Sequence, residues 1–475
     1  MKRFLCAAMI AVLPLCGFAF GQDSASDEAS PKTFSLNLSG GHEFIYRLPA
    51  GSESWDTGYD GEMKTPRFRN EVGIDVKEGE IALASHWQID SFLDLNGNPT
   101  DQWSTSTRVR NLENYLAWNP DVFRLAFGYQ IYSWGVADGR NPTDNLNPRD
   151  YATMEGNKDH KIPILSASAN WYPTEEISVE TVLVPQAVNS ILPLDYQSQL
   201  NSYGFTTTYA SAENKPGDFI GGGKVNYRSQ AADFSVSYLY DWDQMYTPVI
   251  SNATLPGGAD IVLERKRVHR FGADAKTTID RFGLWAEGCY TLTGNRDTSD
   301  YSERLSRFDY TLGGDFSYGP QDDYYLNVQY TGTIIPGFDA STNTESVAQT
   351  YYEKMLVASL AGEREAIVQG ITWNAHWNFL DSRVVLTFTG AFSMPFNYDD
   401  SSGTRYGNLL LKPEIDFMPV DSFHITAGAI LNYAWIKKAG EHVTLDTTQD
   451  SLGIYTPSNH FFVAVSYKWN FAQNK

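Results

Sequence analysis

Between Gly128 and Tyr151 the sequence reads G-Y-Q-I-Y-S-W-G-V-A-D-G-R-N-P-T-D-N-L-N-P-R-D-Y. After Trp134-Gly135, side chains of both signs crowd together: Asp138, Arg140, Asp144, Arg149 and Asp150. The chemistry such a set supports is ion pairing and the shaping of a local field rather than bond making. Asn141-Pro142 and Asn147-Pro148 mark turns, so the segment reads as a loop. Loops beyond about 15 residues without regular structure are usually functional or disordered, and repeated Pro with opposed charges favours order. Two placements are open: the loop folds into a lumen and narrows it, or it packs at a mouth. In the first, Trp134, Asp138, Arg140, Asp144, Arg149 and Asp150 form a constriction.

Other chemistry is poorly supplied. Asp94-x-Asn96-x-Asn98-x-Thr100 begins like a calcium loop, but its sixth position is Pro99 rather than Gly and its twelfth is Thr105 rather than Glu. The eight His residues include no H-x-x-x-H pair, and neither a G-x-S-x-G elbow nor a phosphate-cradling loop occurs. His42 and His269 could join a rim triad of a barrel enzyme, yet a lone strand His is more often pore-lining or interfacial. Cys289 has no basic residue or His beside it in sequence and reads as an inert thiol. The expectation is a protein without catalytic residues, metal site or cofactor.

The elements that would position the loop are legible at the C-terminus. From Phe461 to Phe471 one parity gives Phe461, Val463, Val465, Tyr467, Trp469 and Phe471, and the other Phe462, Ala464, Ser466, Lys468 and Asn470. Side chains alternate faces along a strand, so one face is wholly apolar and ends in aromatics. A tilted strand of about 9–11 residues with that pattern suits a bilayer-spanning closed barrel. At the other end, Lys2 and Arg3 precede an uncharged run from Phe4 to Phe20, with small residues at Ala19 and Gly21: the pattern of a secretory signal. A cleaved signal over residues 1–21, a polar leader over 22–33 and one barrel domain over 34–475 are expected. The formal net charge of −21 argues against nucleic acid as a partner.

Alternating segments are joined by connections that switch between tight and long. Tight ones fall near residues 77–80, 119–121, 172–176, 229–233, 278–281, 319–323, 380–383 and 418–422. Eight of these with nine longer stretches give seventeen connections and eighteen strands, within a range of 16–18. The fold expected is an all-β transmembrane antiparallel barrel with short periplasmic turns and long extracellular loops. Taking the apolar parity as lipid-facing puts Arg67, Arg69, Glu71 and Arg124 inside, with Lys266 and Arg270 on the tenth strand. A barrel of this size leaves an aqueous channel. Spacings of three to four over Glu345–Ala361 predict a helix within a long loop.

The run Gly128-x-Gln130-x-x-x-Trp134-Gly135, then Thr143-Asp144-x-x-Asn147-Pro148-x-Asp150, resembles a group of Gram-negative outer-membrane barrels carrying G-x-Q, W-G and N-P-x-D after an early strand. More loosely, it is similar to the alginate-export type of porin. The resemblance implies an outer-membrane porin or channel, with outer-membrane lipid, the barrel assembly machinery and small solutes as partners. It names no solute and no oligomeric state. An export conduit for polymer or lipid, or a surface adhesin on a barrel base, are the competing expectations.

Overall fold

The structure is a computed structural model whose described residues are 34–50, 66–93, 105–151, 161–191, 205–210, 218–244, 246–254, 258–295, 303–320, 323–338, 366–395, 405–437, 444–445 and 459–474. Its first arc of wall comprises β1 (Phe34–Pro49), β2 (Arg67–Glu78), β3 (Ile81–Leu93), β4 (Thr105–Trp118), β5 (Phe123–Gln130), β6 (Ile164–Trp171) and β7 (Ile177–Val184). After β8 (Phe205–Tyr209), the wall resumes with β9 (Ile220–Arg228) and β10 (Asp233–Trp242). β11 (Thr247–Thr254) and β12 (Gly258–Glu264) precede β13 (Arg267–Ile279), β14 (Phe282–Leu292), β15 (Arg307–Tyr318) and β16 (Tyr324–Ile334). The last arc is β17 (Ile367–Phe379), β18 (Val384–Pro395), β19 (Arg405–Val420) and β20 (Phe423–Lys437), then the short β21 (Thr444–Leu445) and β22 (His460–Asn474).

Eighteen of these strands form one closed antiparallel wall. The chain ends close it: β1 lies against β22 from the pair Ser35–Asn474 to the pair Pro49–His460. Closure leaves no strand edge in the wall, which is the condition for a sheet to cross lipid. No helix among the described residues is long and apolar enough to cross a membrane; the crossing is made by strands.

Parity decides which side chains face out. Along β5, Phe123, Leu125, Phe127 and Tyr129 are exposed while Ala126, Gly128 and Gln130 are buried. On β10, Phe234, Val236, Tyr238 and Tyr240 are exposed, with Ser235, Leu239 and Asp241 buried. The terminal strand repeats this, with Phe461, Val463, Tyr467 and Phe471 outward. A chain that exposes its aromatics and buries its Asp, Arg and Asn is inverted relative to a soluble barrel, and only a hydrocarbon surround makes that stable.

The abundance of Gly and aromatics has a packing reason. Gly40 opposes Trp469, Gly313 opposes Trp285, Gly390 opposes Trp373 and Gly407 opposes Trp435 in register across neighbouring strands. Each indole lies over its glycine, in space that a Cβ would occupy. The aromatic thereby covers backbone that glycine leaves bare. Trp469→Asp removes one such cover and puts charge on the lipid face, a change that is unfavourable there. The expected result is loss of the heat-modifiable folded band on a gel, with unassembled chain in its place.

Two differences from the sequence reading have simple causes. Lys266 and Arg270 do not share a strand: β12 ends at Glu264 and β13 begins at Arg267, so Lys266 sits in the link and pairs with Glu264 at 2.8 Å. β12 instead joins β11 and β8 in a separate three-stranded sheet, which the polar composition of those stretches concealed. The signal and leader, the helix expected over 345–361 and the calcium-like stretch from Asp94 lie outside the described residues.

Candidate functional site: the loop inside the barrel

The segment after β5 turns into the barrel. Asn147 fixes both of its ends: its Oδ1 accepts from the Tyr132 amide at 2.7 Å, and its Nδ2 donates to the carbonyls of Gln130 (3.1 Å) and Ile162 (2.9 Å). Gln130 donates to Ser166 Oγ at 3.0 Å and accepts from Ser168 Oγ at 3.2 Å, locking the root of the loop to inward residues of β6. The Ile131 amide donates to Glu113 of β4 at 3.0 Å. Tyr132, Trp134 and Leu146 then pack with Ile164, Val182, Val184, Ile220 and Leu239. These last five point inward from β6, β7, β9 and β10, so the barrel holds a small apolar core of its own against one arc. That core drives the loop inward, since its three large side chains leave water only there.

Beyond Trp134 the chain crosses the lumen. Gly135 has φ of +100°, a conformation that costs an L side chain strain. A Cβ there would also crowd Asn141, Thr143 and Glu287. The turn delivers three backbone amides and one hydroxyl to a single carboxylate, Glu287 of β14. Val136 N (3.0 Å) and Ala137 N (3.1 Å) donate to Oε2, and Thr143 N (2.7 Å) and Oγ1 (2.9 Å) to Oε1. Asn327 of β16 donates to Asp138 at 2.7 Å. Arg140 donates to Asp309 of β15 at 2.6 Å and to Thr333 of β16 at 2.7 Å, and its carbonyl accepts from Thr311 at 2.8 Å. In the wall, β16 stands eight strands from β5, close to diametrically opposite in eighteen. The loop therefore spans the barrel and is hydrogen-bonded at both walls.

The other charges of the loop are internal braces. Asp144 is buried and pairs with Lys161 (2.7 Å) and Arg149 (3.1 Å), and buried Asp150 pairs with Arg110 of β4 at 3.0 Å. Burial of the Tyr132 ring raises its hydroxyl above the ordinary tyrosine range, so it stays protonated, sharing a hydrogen with Ser166 Oγ at 2.8 Å. Asp138 and Arg140 alone of the named loop charges are exposed. They stand where the loop faces open space.

Of the wall residues, Arg69 is buried and makes a bidentate pair with Asp90 (2.7 and 3.0 Å), and Arg67 pairs with Glu43 at 3.2 Å. Glu71 shares their inward parity. Arg124 stacks on the Tyr115 ring at 5.4 Å. Arg270, Arg304 and Arg307 converge on Asp243 at 3.5, 3.2 and 3.4 Å, and Arg270 also approaches Asp241 at 3.6 Å. All five are buried. His42 and His269 face outward: His42 bonds Asn70 at 2.9 Å and His269 bonds the Tyr238 hydroxyl at 2.8 Å, so neither forms a triad with a carboxylate. Cys289 is buried inside the barrel, with Asn145 Nδ2 at 3.8 Å from Sγ.

Sequence reading did not single out Glu287, Asp309, Asn327 or Asp243. Glu287 had a signal: in Trp285-Ala286-Glu287-Gly288-Cys289 it lies on the parity opposite exposed Leu284, hence inward. That the loop would reach it was not inferable, because the contact closes about 150 residues of intervening chain.

No family model matches the sequence, and no curated protein matches it. Solved structures do share the shape. OccAB4 of Acinetobacter baumannii aligns with a TM-score of 0.50 at 10% identity, over 92% of this chain and 98% of that one. OccK1 (OpdK) of Pseudomonas aeruginosa aligns at 0.49 and 10%, over 92% and 99%. The outer membrane protein opdK, also from Pseudomonas aeruginosa, aligns at 0.45 and 9%, over 93% and 99%. At such identities the likeness is one of fold: the chain is an eighteen-strand barrel of the same architecture.

Proposed function

We propose that this chain is a porin of the Gram-negative outer membrane, through which small polar or charged solutes diffuse passively. The observation that carries the reading is the loop bonded to both walls of an otherwise polar-lined barrel. A surface adhesin has no need of an internal strut. In this reading Asp138 and Arg140 border the opening. Trp134, Asp144, Arg149 and Asp150 keep the loop rigid behind them. Arg67, Arg69, Glu71, Arg124 and Arg270 set the field along the wall, and Lys266 belongs to the link before β13. Preference among solutes then follows from the width left by the loop and from charges held in fixed pairs.

The G-x-Q, W-G and N-P-x-D positions coincide with the struts: Gln130 at the root, Gly135 at the crossing turn, Asn147 across the ends. This supports treating the resemblance to alginate-export porins as one of loop construction, without extending it to polymer cargo. The test is solute release. Liposomes carrying the folded protein are expected to swell in small sugars and amino acids, at rates that fall steeply with solute size. Swelling indistinguishable from protein-free liposomes would refute passive conduction and favour an export partner or adhesin.

A further inference from the structure

The lipid-facing belt has one extended interruption. On β1 to β4 the outward parity carries His42, Asn70, Ser85, Asn111 and Asn114, in four adjacent strands. Each is bracketed along its own strand by outward apolar residues: Phe44 and Leu38 about His42, Phe68 and Val72 about Asn70, Leu83 and Trp87 about Ser85. A register shift between His86 and Trp87 lets β4 turn both Asn111 and Asn114 outward, between exposed Val109 and Leu116. The groups are therefore inside the belt rather than at its rim.

They are partly bonded to one another. His42 Nδ1 meets Asn70 Oδ1 at 2.9 Å, Ser85 Oγ donates to Asn114 Oδ1 at 2.6 Å, the Trp87 indole donates to Ser85 at 3.0 Å, and Asn114 donates to Asn111. Among the described residues nothing accepts from the amide nitrogens of Asn70 and Asn111, and the second ring nitrogen of His42 has no partner. Hydrocarbon offers them none either, and an unmet polar group there is unfavourable. Elsewhere in the described belt, polar outward groups are met by the wall, as Thr181 is by the Ala169 carbonyl at 3.3 Å, or stand near strand ends, as His269 and Gln369 do.

We infer that the β1–β4 face is a subunit interface occupied by a second copy of this chain, packed face to face about a two-fold axis along the membrane normal. The strip bears imidazole, amide and hydroxyl groups that both donate and accept, so its natural complement is the strip itself. A two-fold axis brings identical patches together. Its unmet Asn70 and Asn111 amides then find the Asn and Ser oxygens of the other copy. A headgroup ligand would ask for fixed charge, and the strip carries no Lys, Arg, Asp or Glu. The inference rests on the belt and holds whether or not the lumen conducts.

The test uses the full exported chain. Asn70→Cys, oxidised in membranes, is expected to give a covalent dimer of the chain, while Val236→Cys, exposed on β10, gives none. His42→Leu/Asn70→Leu/Asn111→Leu makes the belt continuous; it is expected to stay heat-modifiable and to need about tenfold more protein in micelles to dimerise. Cross-linking of Asn70→Cys to a different protein, equal yields at both cysteines, or monomer throughout would overturn the proposal. So would a folded triple variant that dimerises like the parent.

Discussion

Excision of Asp138–Asp150 is expected to raise single-channel conductance severalfold over the parent barrel. The segment holds the lumen-crossing bonds from Asp138 to Asn327, Arg140 to Asp309 and Thr143 to Glu287. Its removal leaves the wall register intact, since no wall strand draws its pairing from these residues. The folded band on a gel checks that directly. Conductance equal to the parent would place the loop outside the path of the ions.

Glu287→Ala is expected to produce nearly the same opening from a single wall residue. Its carboxylate is buried and accepts four hydrogen bonds from the loop. Leaving a buried donor unmet costs about 1–3 kcal/mol, so losing this acceptor removes the main reason for the turn at Gly135 to stay across the lumen. Recordings are expected to become larger and noisier, because the loop then moves while rooted at Asn147 and in its apolar core. Glu287→Gln gives an intermediate result: the amide oxygen still accepts from one pair of donors, and its NH2 group opposes the other. Traces for Glu287→Ala that match the parent would show that the loop is held by other contacts.

How much of this was readable from sequence follows from distance along the chain. The wall was legible because strand pairing is local: each hairpin announces itself by alternation, as in Phe123, Leu125, Phe127 and Tyr129, followed by a turn-forming residue. The inward arginines Arg67, Arg69 and Arg270 followed from the same parity. The loop was legible as a loop, through its prolines and opposed charges, but not its destination. Glu287, Asp309 and Asn327 are ordinary polar residues of inward parity until the loop reaches them, and nothing local distinguishes them from their neighbours. Lys266 was misplaced for the opposite reason: β12 and β13 abut with two residues between them, so the alternation runs through a change of sheet. The strip on β1–β4 escaped notice because Asn70 and Asn114 sit in runs whose flanking residues keep the parity.

In the proposed porin the loop leaves an open, narrowed path through an eighteen-strand wall. The most direct measurement is the conductance of single refolded barrels in a planar bilayer, with a salt gradient across it. Steady open steps are predicted, smaller than those of the loop-deleted barrel, with a reversal potential set by the exposed charges of Asp138 and Arg140. A folded, heat-modifiable barrel that inserts and stays silent, with or without the loop, would contradict it.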